Sequence, residues 1–293
     1  MAKHEDIKTM KLYTHLDRIE RRLRRHSPSQ SVHYNGEVLD PEVLSAHDCL
    51  HYFGDEPLHK IQKLIEAAGG TQARVLDVGT GYGGSARLLA HRTGCHVDAL
   101  ELQPDLSAVA QELTTRCRLQ DRVTHLTGDF LLRPIQEQQY DVVVALLCFM
   151  HVGNWRELFT RCLKSLKPGG VLYVEDFVRL TDTPFTQEET RILKEDIYTQ
   201  DLITRSEMHK LLEDVGFQVH TLDDVTAKWT PYVSQRAVSY ESELDKHIEL
   251  DGEDAARALN HFYKSVARVF IMGNLGGYVL TARRPSKSTP KEP

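Results

Sequence analysis

Val75-Leu76-Asp77-Val78-Gly79-Thr80-Gly81-Tyr82-Gly83-Gly84-Ser85 is the stretch that decides the fold. A short apolar run reaches an acid, breaks into a glycine-rich turn and continues into Ala86-Arg87-Leu88-Leu89-Ala90, where apolar residues recur at helical spacing. The pattern predicts strand, tight turn, helix. Gly79, Gly81 and Gly83 let the backbone enter positive φ and leave no Cβ between the turn and a ligand. In an open α/β sheet that turn lies at the carboxyl end of the strand, where ligands bind.

The next apolar run, Cys95-His96-Val97-Asp98-Ala99-Leu100-Glu101, again ends in an acid. An acid about 20 residues beyond a glycine turn, at the tip of the second strand, is placed to take both hydroxyls of a ribose. Two ligands suit such an acid, a nicotinamide dinucleotide and S-adenosylmethionine. The dinucleotide fingerprint fits poorly, because Gly79-x-Gly81-x-Gly83-Gly84 puts the third glycine one place early.

Three further motifs follow in order: Gly128-Asp129-Phe130, Tyr140-Asp141-Val142-Val143-Val144-Ala145 and Leu166-Lys167-Pro168-Gly169-Gly170. With Asp77–Gly83 and Glu101 they make the chain resemble a class I S-adenosylmethionine-dependent methyltransferase, over roughly Arg74 to Asp176. The resemblance implies a Rossmann-like, doubly wound, mostly parallel sheet of seven strands. The last, Gly277 to Arg283, would insert antiparallel beside the fifth. Apolar patterning places the other strands near 73–78, 95–101, 122–127, 140–147, 170–177 and 217–222, with helices near 84–92, 105–117, 155–166 and 206–214.

The remainder exceeds what such a core needs. Residues 1–70 read as a helical lid segment. It opens with an amphipathic helix from Ile7 to Arg25, whose arginines form a solvated face, followed by a linker from His26 to Gly36 and a second helical stretch from Pro41 to Leu50. Residues 71–284 form the core, with lid insertions at 178–205 and 223–272, and 285–293 reads as a disordered tail. The 293 residues carry 41% hydrophobic and 27% charged side chains, ordinary for a globular protein. A net charge of −6 argues against a nucleic-acid binder and for a small-molecule substrate. The five cysteines have no ligand or C-x-x-C spacing, and His47, His51 and His59 do not match a zinc site, so no metal is expected. The start lacks a signal-peptide pattern and no run approaches the roughly 18 apolar residues of a membrane span, which sets a cytoplasmic expectation without a membrane partner. Oligomeric state is not readable.

For the cofactor, S-adenosylmethionine, the resemblance assigns Asp77 to the methionine moiety, the backbone of Gly79, Thr80, Gly81 and Gly83 to close packing, and Glu101 to the ribose. Gln103 and Leu146 border it. Asp129 accepts from the adenine amino group, and Leu102 and Phe130 flank the ring. Methyl transfer from a sulfonium is an in-line displacement that needs alignment and exclusion of water. His151, just past the fourth strand, is the candidate base, matching a histidine of the phosphoethanolamine and sarcosine/dimethylglycine N-methyltransferase group that the chain resembles. Tyr52 joins it as a catalytic candidate from the lid. His51, Glu175, Phe177, Tyr198, Trp229 and Tyr263 are the substrate-side candidates, the aromatic ones through cation–π contact with an ammonium group. The stretch Ile192 to Asp201 departs from that group, carrying acids where a phosphate-binding arginine belongs. N-methylation of a small polar amine is therefore the expected reaction, with O-, S- or C-methylation as the alternative. A dinucleotide oxidoreductase and a non-catalytic binding protein are the rival classes.

Overall fold

The structure, a computed structural model, describes Ile19, Arg21, Arg22 and residues 38–134 and 136–286. Most of the amphipathic stretch from Ile7 to Arg25, the linker from His26 to Gly36 and the end of the tail lie outside these residues.

Seven strands form one sheet: β1 (Arg74–Val78), β2 (His96–Glu101), β3 (Val123–Thr127), β4 (Tyr140–Leu146), β5 (Leu166–Arg179), β6 (Gln218–Asp224) and β7 (Leu275–Arg283), in the order β3-β2-β1-β4-β5-β7-β6. The pairs β1–β2, β2–β3, β1–β4 and β4–β5 are parallel. Beside β5 the last strand runs antiparallel: Gly169 and Arg284 exchange bonds across Gly170 at 2.9 Å, and Leu180 N meets Asn274 O at 2.9 Å, a register in which one number rises as the other falls. The motif Leu166 to Gly170, most of which precedes the strand expected near 170–177, already belongs to β5, because Leu166 pairs with Tyr140 and Gly170 with Arg284.

The crossovers are α3 (Gly84–Thr93) after β1, α4 (Pro104–Arg116) after β2 and α5 (Trp155–Ser165) after β4, preceded by α1 (Pro41–Asp48) and α2 (Asp55–Ala67). The starts of α1 and α4 have local causes. Asp40 caps α1 by accepting from Glu42 N at 2.9 Å, with Pro41 in the first turn, and Pro104 opens α4. No helix forms among the described residues between β3 and β4. The 12-residue link from 128 to 139 must pass β2 and β1 and return to the amino-terminal end of the parallel strands, where β4 starts beside β1. That path uses most of its reach, and Pro134 interrupts the rest.

The chain divides into two compact units. One comprises Val38–Asp176, Arg205–Asp223 and the chain from Val279, and includes α7 (Arg205–Val215). Residues 38–70, expected in the lid, therefore group with the sheet. The other comprises Phe177–Thr204 and Asp224–Tyr278, together with Ile19, Arg21 and Arg22. It carries the short α6 (Gln187–Arg191), a π-helical turn at Ile192–Asp196, and the helices α8 (Thr226–Ser242), α9 (Leu244–Asp251) and α10 (Glu253–Met272). Its core stacks Phe177 edge-on against Trp229 and Phe270 at 6.1 and 5.3 Å. Arg22 does not sit on a solvated face: its Nη2 lies 2.6 Å from the fully buried Asp251. Among the described residues no helix is long and apolar enough to cross a membrane.

Candidate active site

The site is built on the ends of β1, β2 and β4 within the first unit. Asp77 is buried at the tip of β1 and accepts from Thr80 Oγ1 at 2.7 Å. Glu101 is buried at the tip of β2, where its two carboxylate oxygens accept from Gly81 N and Gln103 N, each at 3.0 Å. The second acid thus holds the glycine turn of the first strand. Burial pushes Asp77 up to about 6 against the Thr80 hydroxyl bond, and Glu101 up to about 7 against its backbone N–H bonds, which favour the charged forms.

The turn is shaped by what lies under it. Gly79 has φ 76°, and a Cβ there would run into Cys148 Sγ, so the first glycine packs directly on the loop after β4. Behind Gly83 stands Arg87, 1% exposed in the first turns of α3. Its guanidinium donates to Tyr82 O at 2.6 Å, to Ala110 O and Thr114 Oγ1 at 3.1 Å, and to the buried Asp48 at the end of α1. Burial raises the Asp48 carboxyl and Arg87 pulls it back. Thr114 Oγ1 lies 2.7 Å from His125 Nε2, and burial with the nearby Arg87 charge holds His125 down to about 4. This buried network ties α1, the glycine turn and α4 together. Sequence reading missed it; the available signal was Arg87 itself, a cation inside the apolar run from Ala86 to Ala90.

His151 is buried in a 3₁₀ turn, Phe149–His151, after β4. That turn is fixed to β5: Met150 N donates to Asp176 Oδ2 at 3.2 Å and Leu147 N to Glu175 O at 2.8 Å. Glu175 is also buried; it accepts from the Tyr173 hydroxyl and lies 3.7 Å from Lys60 Nζ. Glu175 pairs with Leu146 at the tip of β4, so two acids of β5 lie beside the turn that holds the histidine, before the strand runs on to Arg179.

A match to a family model gives the chain's family. Residues 50–222 match the family model described as a methyltransferase domain. The chain belongs to the class I S-adenosylmethionine-dependent methyltransferases. A sterol 24-C-methyltransferase from Eremothecium gossypii is 29% identical over 217 residues, covering 70% of this chain and 58% of that enzyme, so the chain spans little more than half of its relative's length. A Galdieria sulphuraria structure described as a sarcosine dimethylglycine methyltransferase shares the fold at TM-score 0.69 and 20% identity, covering 93% of this chain and 99% of that one. A phosphoethanolamine N-methyltransferase 2 from Haemonchus contortus, solved with S-adenosylhomocysteine, does so at TM-score 0.68 and 21% identity, covering 78% and 53%.

The methyltransferase's strand tips fit an adenosyl ligand. A carboxylate has about four acceptor positions; Glu101 takes backbone N–H bonds from Gly81, Gln103 and Leu102, and a position is left that a ribose hydroxyl would fill. Beside it, Gln103 Nε2 is a buried donor with no partner among the described residues. Leu102 and Leu146 are half-buried at the ends of β2 and β4, and Asp129, half-buried after β3, accepts from Leu131 N at 2.7 Å. The bound cofactor supplies an electrophilic methyl carbon on a sulfonium.

The structure does not bring all the expected residues together. Phe130 lines a cavity on one sheet face, described below, with the Arg161 guanidinium 5.8 Å from its ring. Tyr52 is buried in the turn between α1 and α2. His51 is held by Gly54 O at 2.7 Å and Ser85 Oγ at 3.2 Å, and burial lowers its pKa. Phe177, Tyr198, Trp229 and Tyr263 belong to the second unit. There Phe177 and Trp229 are core, Tyr263 lies under the Arg236 guanidinium at 4.2 Å, and Tyr198 is half-buried at φ 63°. In the acidic stretch Asp196 is engaged by His261 at 2.9 Å and Ser265 at 3.0 Å.

Proposed function

We propose that this methyltransferase acts on a neutral acceptor that becomes cationic as it is methylated, and that the acceptor is an alkene carbon of an apolar, sterol-type molecule. The observation that carries the first part is the buried Asp176 of β5, whose carboxylate touches the turn that holds His151, with the buried Glu175 next to it in the strand. When the sulfonium's S–CH₃ bond breaks, its electron pair stays on sulfur, the new bond forms to the acceptor, and the positive charge moves to the acceptor. A buried carboxylate beside that turn stabilises such a charge more than it does in water. His151 then takes the proton that the methylated acceptor loses. Glu101 holds the ribose, Asp77 and the Gly79–Gly83 turn the methionine part, and Asp129 the adenine amino group.

The carbon acceptor is favoured over the expected small amine because the sterol 24-C-methyltransferase match extends over 70% of the chain. A neutral amine meets the same electrostatic requirement, so both belong in the test. Labelled methyl donor is offered with a sterol unsaturated in its side chain, its saturated analogue, sarcosine, dimethylglycine and phosphoethanolamine. Label is expected in the unsaturated sterol and not in the saturated one. Label in the amines alone moves the acceptor to nitrogen, and label in none of these compounds defeats the proposal.

A further inference from the structure

The sheet face carrying Arg74 and Leu76 of β1, Asp98 and Leu100 of β2, and Thr124 and Leu126 of β3 lacks a covering helix, because the link from β3 to β4 forms none among its described residues. A cavity of about 380 Å³ remains there, within the roughly 300–1,000 Å³ of small-molecule sites. Its floor is apolar, formed by Leu76, Leu100, Leu126 and Phe130, and three arginines, Arg74, Arg133 and Arg161, face it. Asp98 also lines it but is already engaged, by Arg74 Nη2 at 3.1 Å and the Tyr140 hydroxyl at 2.7 Å. Arg133 Nη1 donates to Thr127 O at 2.7 Å. Arg161 donates to Arg133 O and lies 3.4 Å from Glu157.

Among the lining residues three guanidinium groups stand against one carboxylate, so the cavity is cationic. In a partly dehydrated cavity such a charge attracts an anion more strongly than it does in water. We propose that this cavity is a second ligand site, for a small apolar anion: a carboxylate whose oxygens meet the guanidinium groups of Arg74, Arg133 and Arg161 and whose hydrocarbon body covers the leucine floor. The site is distinct from the cofactor's. Neither Asp77, Gly79, Gly81 nor Glu101 lines it, yet Leu76, Leu100 and Phe130 are the immediate chain neighbours of Asp77, Glu101 and Asp129. The two ligands lie on either side of the same strand tips.

Octanoate, octanol and octylammonium titrated calorimetrically against the intact chain, with and without saturating S-adenosylhomocysteine, test this. Octanoate is expected to bind one to one, at least about tenfold tighter than the other two, whether or not the nucleoside is present. Arg161→Met and Arg74→Gln should each weaken it about tenfold while leaving S-adenosylhomocysteine binding in place. Leucine-methyl spectra of the unaltered protein should shift at Leu76, Leu100 and Leu126 on adding octanoate, which needs no variant. Octanol binding as tightly as octanoate, displacement of octanoate by S-adenosylhomocysteine in simple competition, or no shift at those three leucines overturns the proposal.

Discussion

Replacing Glu101 by Gln separates what this acid does for the cofactor from what it costs the fold. Burial lifts the Glu101 pKa from 4.5 to about 7, so the folded chain holds its proton more tightly than the unfolded one. The contribution is therefore fully present below pH 4.5 and is lost as pH rises through 7. At 1.36 kcal/mol per unit the 2.5-unit gap amounts to about 3 kcal/mol. Gln matches the protonated acid in shape, but its NH2 cannot accept, so either Gly81 N or Gln103 N loses its partner at a cost of about 1–3 kcal/mol. In urea the variant should therefore be the less stable near pH 4.5 by about that amount, and the difference should move in its favour by about 3 kcal/mol between pH 4.5 and pH 8. Cofactor binding should move the other way. The amide keeps one acceptor oxygen and no charge, and trading charged for neutral hydrogen bonds to the ribose costs about 1.5–3 kcal/mol, or roughly 10–100-fold in affinity. S-adenosylhomocysteine should also bind the parent more tightly from pH 6 to pH 8 and bind the variant evenly. A variant with parental affinity, or a stability difference that does not move toward the variant as pH rises, would refute this reasoning.

Four other perturbations have definite outcomes. Asp48→Asn leaves Arg87 charged and buried with no anion; urea unfolding should show a loss of about 3–5 kcal/mol. Gly79→Ala puts a Cβ into Cys148 at a positive φ and should weaken S-adenosylhomocysteine at least about tenfold, partly restored by adding Cys148→Gly. His125, with its pKa lowered from 6.5 to about 4, contributes stability that is lost as pH falls through that window. His125→Gln should therefore lose less than the parent between pH 6.5 and 4, by up to about 3 kcal/mol in acid titrations followed by circular dichroism. His151→Gln should lower kcat by about 10²–10⁴ at unchanged S-adenosylhomocysteine affinity; an unchanged kcat at every pH removes the base role.

The nucleotide half of this molecule was legible because its determinants are neighbours in sequence. Asp77 and the glycine turn lie within seven residues, Glu101 ends the very next strand, and the parallel register then carries the two acids to adjacent tips. The seventh strand's place beside the fifth followed from resemblance and holds in the sheet order. Arg87 and Asp48 were not legible, since a cation and an acid 39 positions apart read as surface charges until the fold closes over both.

The acceptor side fails for a different reason. Phe177, Trp229 and Tyr263 were chosen as substrate contacts by residue type, yet an aromatic ring at helical spacing serves equally well as core, and edge-on packing at 5.3–6.1 Å is what Phe177 does. Phe130, placed beside adenine by the resemblance of Gly128-Asp129-Phe130, lines the floor of the open sheet face. A strand tip dictates the direction of an acid through the two-residue alternation of the strand, so Asp77 and Glu101 had one place to point. A helix offers no such constraint on which partner its ring meets, because any helix packed against it gives the ring the same burial. The partners of Phe177, Trp229 and Tyr263 are therefore set by tertiary packing within the second unit, which leaves no local mark on the sequence.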